Sequence, residues 1–246
     1  MPIPRLPKEK MDTNRKTAVI VGILYIIGTV AGILSVAFTS RIFNASDYLA
    51  RVSANTNQIT IGAFFVLIMG FALAMIPVMM FPILKKQNEA LALGYLIFRG
   101  ALETVTYILC AINWLLLISL SLAYGKAGIA GSISFQPISA LLLAAADRST
   151  LMTVFVFGLG ALIFYSLLFK SNLIPRWISI WGLIAIGLHL ITGLLIAFGL
   201  TSISSQLVVL MDLPIAIQEM VMAVWLIAKG FGPSAIRVES AVVEMN

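Results

Sequence analysis

The chain alternates long apolar runs with short polar connections. Six runs are roughly 20 residues or longer, the length at which a helix can cross a hydrocarbon layer about 30 Å thick. They cover residues 17–39, 60–84, 90–122, 151–169, 178–200 and 207–228. The third run is too long for one straight crossing, so it either tilts or continues as helix beyond the bilayer toward Tyr124. The pattern predicts an all-α, polytopic bundle of six transmembrane helices.

Two of the connections carry helical patterns of their own. Residues 44–57 can begin a helix at Ser46 or Asp47, with Tyr48, Leu49 and Val52 on one side. Residues 136–147, with the sequence QPISALLLAAAD, have the composition of a second short helix. We expect both to be short helices lying at the membrane interface, on the outer side of the bundle.

The polar ends of the chain divide it into three segments. Residues 1–16 are rich in proline and basic residues and are predicted to be a disordered tail. Residues 17–231 are predicted to form a single membrane domain, and residues 232–246 a C-terminal tail. The first ten residues contain no apolar run, so we expect Met11 to be the initiator.

Composition agrees with a membrane protein. The 246 residues are 61% hydrophobic with a mean hydropathy of +1.05, and only 11% are charged, against roughly 25% in soluble domains. This balance excludes a soluble enzyme, a disordered chain and a disulfide scaffold. The single cysteine and single histidine also exclude CxxC and HExxH motifs, and we expect no cofactor.

The distribution of positive charge predicts the orientation. If the N-terminus is inside, only Arg41, Arg51, Lys126 and Arg148 lie on the outer side, and Arg99 lies within a span. The other Lys and Arg residues, 11 of the 16 in the chain, then lie inside. By the positive-inside rule both termini are predicted to be cytoplasmic. The net charge of +6 is explained by this bias, so we expect a lipid bilayer and not nucleic acid as the partner.

Small residues mark where helices can approach closely. Gly28 and Gly32 form a GxxxG motif in the first span, and Gly182 and Gly193 lie on one stripe of the fifth. Such stripes allow close helix packing. We predict packing within the chain, in preference to a dimer interface.

Five ionisable residues fall inside predicted spans. Each charged residue costs about 2.5–3.5 kcal/mol at a helix centre on insertion scales, so these positions call for an explanation. The helical rise places Arg99 and Glu219 about 13 Å, His189 about 16 Å, Glu103 about 20 Å and Asp212 about 24 Å from the inner surface. Because most of these depths lie near the bilayer midplane, we predict that the side chains converge.

Helical facing supports this convergence. One polar stripe on the third span contains Arg99, Glu103, Thr106, Cys110 and Asn113. Asp212 and Glu219 are seven residues apart and share a face of the sixth span, on either side of Pro214. Proline removes a backbone donor and clashes with the preceding turn, which predicts a kink there.

Three hypotheses account for these residues. The first is a structural or partner-binding subunit, in which Arg99 pairs with Glu103 or Glu219 only to neutralise its charge. The second is a pocket for a small anionic or amphipathic molecule. There Arg99 supplies positive charge, Glu103, His189 and Glu219 exchange protons, and Asp212 lies toward the outer side. The third is a metal-dependent intramembrane enzyme with His189, Glu103 and Glu219 as ligands.

Three segments carry a family resemblance: MDTNRKTAVIVGILYIIGTVAGILS from Met11, FRGALETVTYIL at residues 98–109 and MDLPIAIQEMVMAVWLIAKGF at residues 211–231. Together they resemble a bacterial family of uncharacterised multi-span membrane proteins, domain-of-unknown-function family 4386. The resemblance covers about residues 11–237. It implies a multi-pass protein of the bacterial cytoplasmic membrane, and it implies no activity, substrate or catalytic residue.

Overall fold

The structure is a computed structural model that describes residues 8–126 and 135–232. Those residues are helical apart from short connections, and they contain no strand. The predicted all-α architecture is therefore confirmed. Predictions for residues 1–7, 127–134 and 233–246, which include part of the predicted N-terminal tail and nearly all of the C-terminal one, lie outside the described residues.

The helices follow one another with short connections. In chain order they are α1 (Lys8–Phe43), α2 (Tyr48–Ala54), α3 (Thr56–Leu84), α4 (Glu89–Tyr95), a π-helical segment π1 (Leu96–Leu102), α5 (Glu103–Lys126), α6 (Phe135–Ser171), α7 (Arg176–Ala197) and α8 (Gln206–Ala228). The segments α4, π1 and α5 form one continuous helix from Glu89 to Lys126.

Among the described residues, six helical stretches are long and apolar enough to cross a membrane, in agreement with the six predicted runs. The third stretch continues as helix past Tyr124 to Lys126, which is one of the two outcomes that its length predicted.

The two connections that were predicted to carry short helices differ from the prediction in one place. A short helix, α2, does follow Asp47. Residues 136–147, however, do not form a separate short helix, because they are the first turns of α6, which continues unbroken to Ser171. Pro137 lies in the first turn, where proline is tolerated, and the next glycine is Gly158. Nothing between these residues ends the helix.

The first helix also begins earlier than predicted. It starts at Lys8, so residues 8–16, which were assigned to a disordered tail, are helical. The Arg15 guanidinium donates a hydrogen bond of 2.9 Å to the carbonyl of Leu226 in the last turn of α8. A cation at this position is favourable, because the last carbonyls of a helix carry partial negative charge. This contact anchors the extended first helix to the bundle.

The six spanning stretches pack as a closed ring. Helix α1 packs on α3, α3 on α5, α5 on α6, α6 on α7, α7 on α8, and α8 on α1. Each predicted span therefore contacts the preceding and following ones, and the last closes against the first. Residues that face the inside of this ring come from different helices at similar heights, and this arrangement positions the site described below.

The small-residue stripes pack within the chain, as predicted. A Cβ atom at Gly28 would overlap the side chain of Leu73 on α3, and one at Gly193 would overlap Val154 on α6. Near the same α1–α3 seam, the Ser35 hydroxyl donates a hydrogen bond of 3.0 Å to the Gly62 carbonyl. Both stripes are thus seams between neighbouring helices of the ring.

Two glycines of α7 provide a matched test of this packing. A Cβ atom at Gly182 would lie 2.6 Å from the buried ring of Tyr165, whereas nothing lies within 4 Å of a Cβ atom at Gly187. We expect Gly182→Ala to destabilise the protein by about 1–3 kcal/mol through overpacking. Gly187→Ala should leave its stability unchanged or raise it slightly, because alanine favours helix.

The measurement is thermal unfolding of both variants in the same detergent. Equal melting temperatures for Gly182→Ala and Gly187→Ala would contradict the observed contact between α6 and α7.

Candidate functional site

Arg99 lies at the centre of a buried ion cluster. Its Nη1 donates to both carboxylate oxygens of Glu103, at 2.9 and 3.0 Å, and its Nη2 donates to Oε1 of Glu219 at 3.1 Å. The side chains of Arg99 and Glu103 are only 3% and 1% exposed, and that of Glu219 is 14% exposed. The predicted convergence of the third and sixth spans is therefore observed as a direct contact between Arg99 and Glu219.

The π-helical segment presents Arg99 to this cluster. Arg99 is the fourth residue of π1, and the Glu103 amide that closes the segment donates to the Phe98 carbonyl five residues back. A π turn is wider than an α turn and changes the direction of the side chains that follow it. Gly160 lets α6 approach closely here, since a Cβ atom at Gly160 would lie 3.3 Å from the Arg99 amide nitrogen.

Residues on α5 extend the polar contacts away from Arg99. The Tyr107 hydroxyl donates to Oε1 of Glu103 at 2.9 Å, and the Thr106 hydroxyl lies 2.6 Å from that of Thr153 on α6. Thr106 and Cys110 are buried, as the predicted stripe requires. The stripe ends at the partly exposed Asn113, whose amide donates to the Leu109 carbonyl of its own helix.

Phe157 on α6 connects this cluster to a second polar pair. The Arg99 guanidinium carbon lies 4.3 Å from the centre of the Phe157 ring, in cation–π geometry. The same ring contacts His189 edge-on, with ring centres 5.1 Å apart. Phe157 therefore lies between Arg99 and His189.

His189 pairs with Asp212, which differs from the predicted grouping. The sequence grouped His189 with Arg99, Glu103 and Glu219, whereas its Nδ1 lies 2.9 Å from Oδ1 of Asp212. Asp212 is 30% exposed and His189 is buried. The other ring nitrogen of His189, Nε2, is buried and has no hydrogen-bond partner in the described part of the chain. A buried polar atom without a partner is costly, so it marks a position where a partner could bind.

Both polar groups line one cavity of about 560 Å³. Its lining includes Arg99, Glu219, His189 and Asp212, together with Ile196 and Val208 from the end of α7 and the beginning of α8. The volume is in the range of small-molecule sites, which are largely apolar with a few placed polar groups. All the predicted site residues except Glu103 border the cavity directly, and Glu103 is bonded to Arg99 behind it.

The geometry bears on two of the hypotheses. Both terminal nitrogens of Arg99 are engaged by carboxylates, so Arg99 is a poor receptor for an anion. For the metal hypothesis, Arg99 lies between the two proposed ligands Glu103 and Glu219. Within the described residues, no three His, Cys, Asp or Glu side chains form a group that could hold a metal ion. The proposed metal ligands His189, Glu103 and Glu219 are therefore not assembled as a metal site.

Sequence reasoning missed three residues of this region. Tyr107 and Phe157 are aromatic residues in apolar helices, and nothing in the pattern distinguishes them from residues that face lipid. Gln218 is completely buried, accepts a 2.6 Å hydrogen bond from Tyr165 and donates to the Ile178 carbonyl. An uncharged polar side chain in a span was the available signal for Gln218, which ties α6, α7 and α8 together beside Glu219.

Removing the Arg99 charge should destabilise the protein strongly. In Arg99→Ala, Glu103 and Glu219 would be left near each other without a counter-ion, and breaking a buried ion pair costs about 3–5 kcal/mol. We expect a large loss of folded protein, measured as monodisperse yield and melting temperature in detergent.

Arg51→Ala is the matched control. Arg51 also bonds an acid four residues away, Asp47, at 2.7 Å, but both side chains are more than half exposed. The hydrogen bond from Arg51 lowers the pKa of Asp47, yet such exposed pairs stabilise little. Equal effects of the two substitutions would show that the Arg99 cluster is not a buried network.

Comparison with known proteins identifies the family. No curated protein and no solved structure matches the chain. Residues 20–230 match the family described as "Domain of unknown function (DUF4386)", and this match includes every residue of the ion cluster and of the cavity. The chain is thus a member of the DUF4386 family of unknown function, as its sequence resemblance indicated.

Proposed function

We propose that this protein is an integral membrane protein that binds a small amphipathic molecule inside its helical ring. The observation that carries the proposal is the cavity of about 560 Å³ that joins apolar side chains to polar ones. Val154, Val208 and Leu213 would contact the apolar part of the molecule, and His189, Asp212 and Glu219 its polar part. Transport of the same molecule is an extension of this proposal.

The proposed setting is the bacterial cytoplasmic membrane, with both termini in the cytoplasm. In that orientation the connection between α7 and α8 lies on the outer side, and so does the end of the cavity lined by Ile196, Ile203 and Val208. A molecule would enter from the outer leaflet or the outer aqueous phase and place its polar group near the midplane. The lipid bilayer is the only macromolecular partner that the proposal requires, and no chemical step is assigned.

A second candidate is a structural or partner-binding subunit without a ligand. It is favoured by the pairing of Arg99, whose two terminal nitrogens are bonded to Glu103 and Glu219. Such a network can hold helices in register with no further role. The cavity and the unpartnered Nε2 of His189 are not explained by this alternative.

The single histidine allows a direct test. In protein labelled with ¹⁵N-histidine, purified with a tag that contains no histidine, every imidazole signal comes from His189. We expect n-octanol to shift the His189 signals in a saturable manner, because its hydroxyl can donate to the free Nε2. The measurement is NMR in nanodiscs of zwitterionic phosphatidylcholine.

Two tryptophan variants separate binding in the cavity from partitioning into the bilayer. Ala216→Trp would fill the cavity, which Ala216 lines, whereas Ile184→Trp would place the same side chain on the exposed surface of α7. We expect the saturable shift to be lost only in Ala216→Trp. A response in wild type that is linear in octanol, or identical in all three proteins, would support the subunit without a ligand.

A further inference from the structure

The charges that border the cavity or lie directly behind it are mostly negative. Glu103, Glu219 and Asp212 contribute three carboxylates against the single guanidinium of Arg99. Even when His189 is protonated, the ionised cluster keeps a net negative charge. Uncompensated charge in a low-dielectric interior is unfavourable, so the cavity would gain most from a cation.

Three polar atoms of these residues that have no hydrogen-bond partner among the described residues also favour a cation. Oε1 of Glu219 accepts from Arg99 and Oδ1 of Asp212 is bonded to His189, but neither second oxygen has a hydrogen bond within the described part of the chain. When Nδ1 of neutral His189 donates to the Asp212 carboxylate, Nε2 is left as an acceptor. That nitrogen is buried and has no partner among the described residues. These three open positions, two carboxylate oxygens and one imidazole nitrogen, therefore accept hydrogen bonds and do not donate them.

From these two observations we infer that the molecule bound in this cavity carries a primary ammonium group on an apolar body. The inference rests on the proposed binding function and adds the chemical class of the ligand. A primary ammonium offers three donors and no acceptor, which complements Glu219, Asp212 and the free nitrogen of His189. Its positive charge offsets the surplus carboxylate.

The aromatic residue at the site refines the choice of cation. Arg99 lies 4.3 Å from the centre of the Phe157 ring, and the edge-on contact with His189 involves the same ring. A quaternary ammonium group is held by open aromatic faces and has no N–H to donate. Since Phe157 is already engaged by Arg99, the site favours a cation that donates hydrogen bonds over one that is bound by aromatic rings.

Four probes with the same alkyl chain test the inference. n-Octylammonium, n-octanol, octanoate and octyltrimethylammonium are titrated into wild-type protein in phosphatidylcholine nanodiscs, and the His189 ¹⁵N signals are followed. The response of Ala216→Trp to each probe is subtracted as the background from the bilayer. We expect octylammonium to bind about tenfold more tightly than octanol, since charge-assisted hydrogen bonds are the stronger ones. Octyltrimethylammonium and octanoate should bind more weakly than octylammonium.

Substitutions that each remove one negative charge test which carboxylate binds the ammonium group. We expect Glu219→Gln, which keeps an oxygen for Arg99, to weaken octylammonium binding about tenfold more than it weakens octanol binding. Asp212→Asn removes the other carboxylate charge of the cavity and leaves His189 with a hydrogen-bond partner. Because Asp212 lies in the more exposed part of the site, this variant provides a second test of the charge effect if Glu219→Gln folds poorly. Glu89→Gln, at an exposed position in the first turn of α4, is the control and should change neither affinity.

The outcomes separate the inference from the proposed function. If octanol and octylammonium bind equally, or if octanoate binds more tightly, the ammonium inference is wrong and binding in the cavity stands. Equal binding would mean that the carboxylates hold protons and present no net charge. If none of the four probes gives a saturable response that Ala216→Trp abolishes, the proposed function itself fails.

Discussion

The pairing of Arg99 with two carboxylates is the constraint on which the rest of the structure depends. A guanidinium that is 3% exposed among apolar helices needs compensating charge within hydrogen-bond distance. Glu103 supplies one carboxylate from the next turn of the same helix, and Glu219 supplies the other from α8. The second contact fixes the height and rotation of α8 relative to π1. It acts together with the Arg15 contact near Leu226, which fastens α8 to α1 where the ring closes.

The sequence alone predicted the spans and the meeting of Arg99 with Glu219, because both follow from periodicity. The helical rise gives the depth of each residue in the bilayer from its position along the span. Because Arg99 and Glu219 lie at equal depth on inward faces, few other side chains could neutralise either charge. Periodicity does not determine which neighbours lie side by side, however. His189 was grouped with Arg99 by depth, but the lateral order of the ring places its Nδ1 beside Asp212, and only coordinates reveal that order.

Helix ends and irregular turns were harder to predict than spans, for separate physical reasons. Polar residues near Asp147 suggested a break, but a helix ends where its backbone is interrupted, and no glycine or proline lies between Pro137 and Gly158. The π segment at Leu96–Leu102 leaves no periodic signature, since Arg99 and Glu103 keep a spacing that suits an ordinary helix. The contact of Arg15 with a helix about two hundred residues away along the chain has no local sequence signal either.

The two polar groups of the cavity differ in a way that indicates different roles. In the Arg99 cluster, hydrogen bonds from Arg99 and Tyr107 engage both oxygens of Glu103 and one oxygen of Glu219, so stability alone can account for most of its contacts. The pair of His189 and Asp212 is less complete, because Nε2 has no partner among the described residues and Asp212 is 30% exposed. Phe157 joins the two groups, with Arg99 over its face and His189 at its edge. A largely paired network beside a pair that leaves a buried nitrogen open to a cavity is the arrangement expected of a scaffold and the site that it supports.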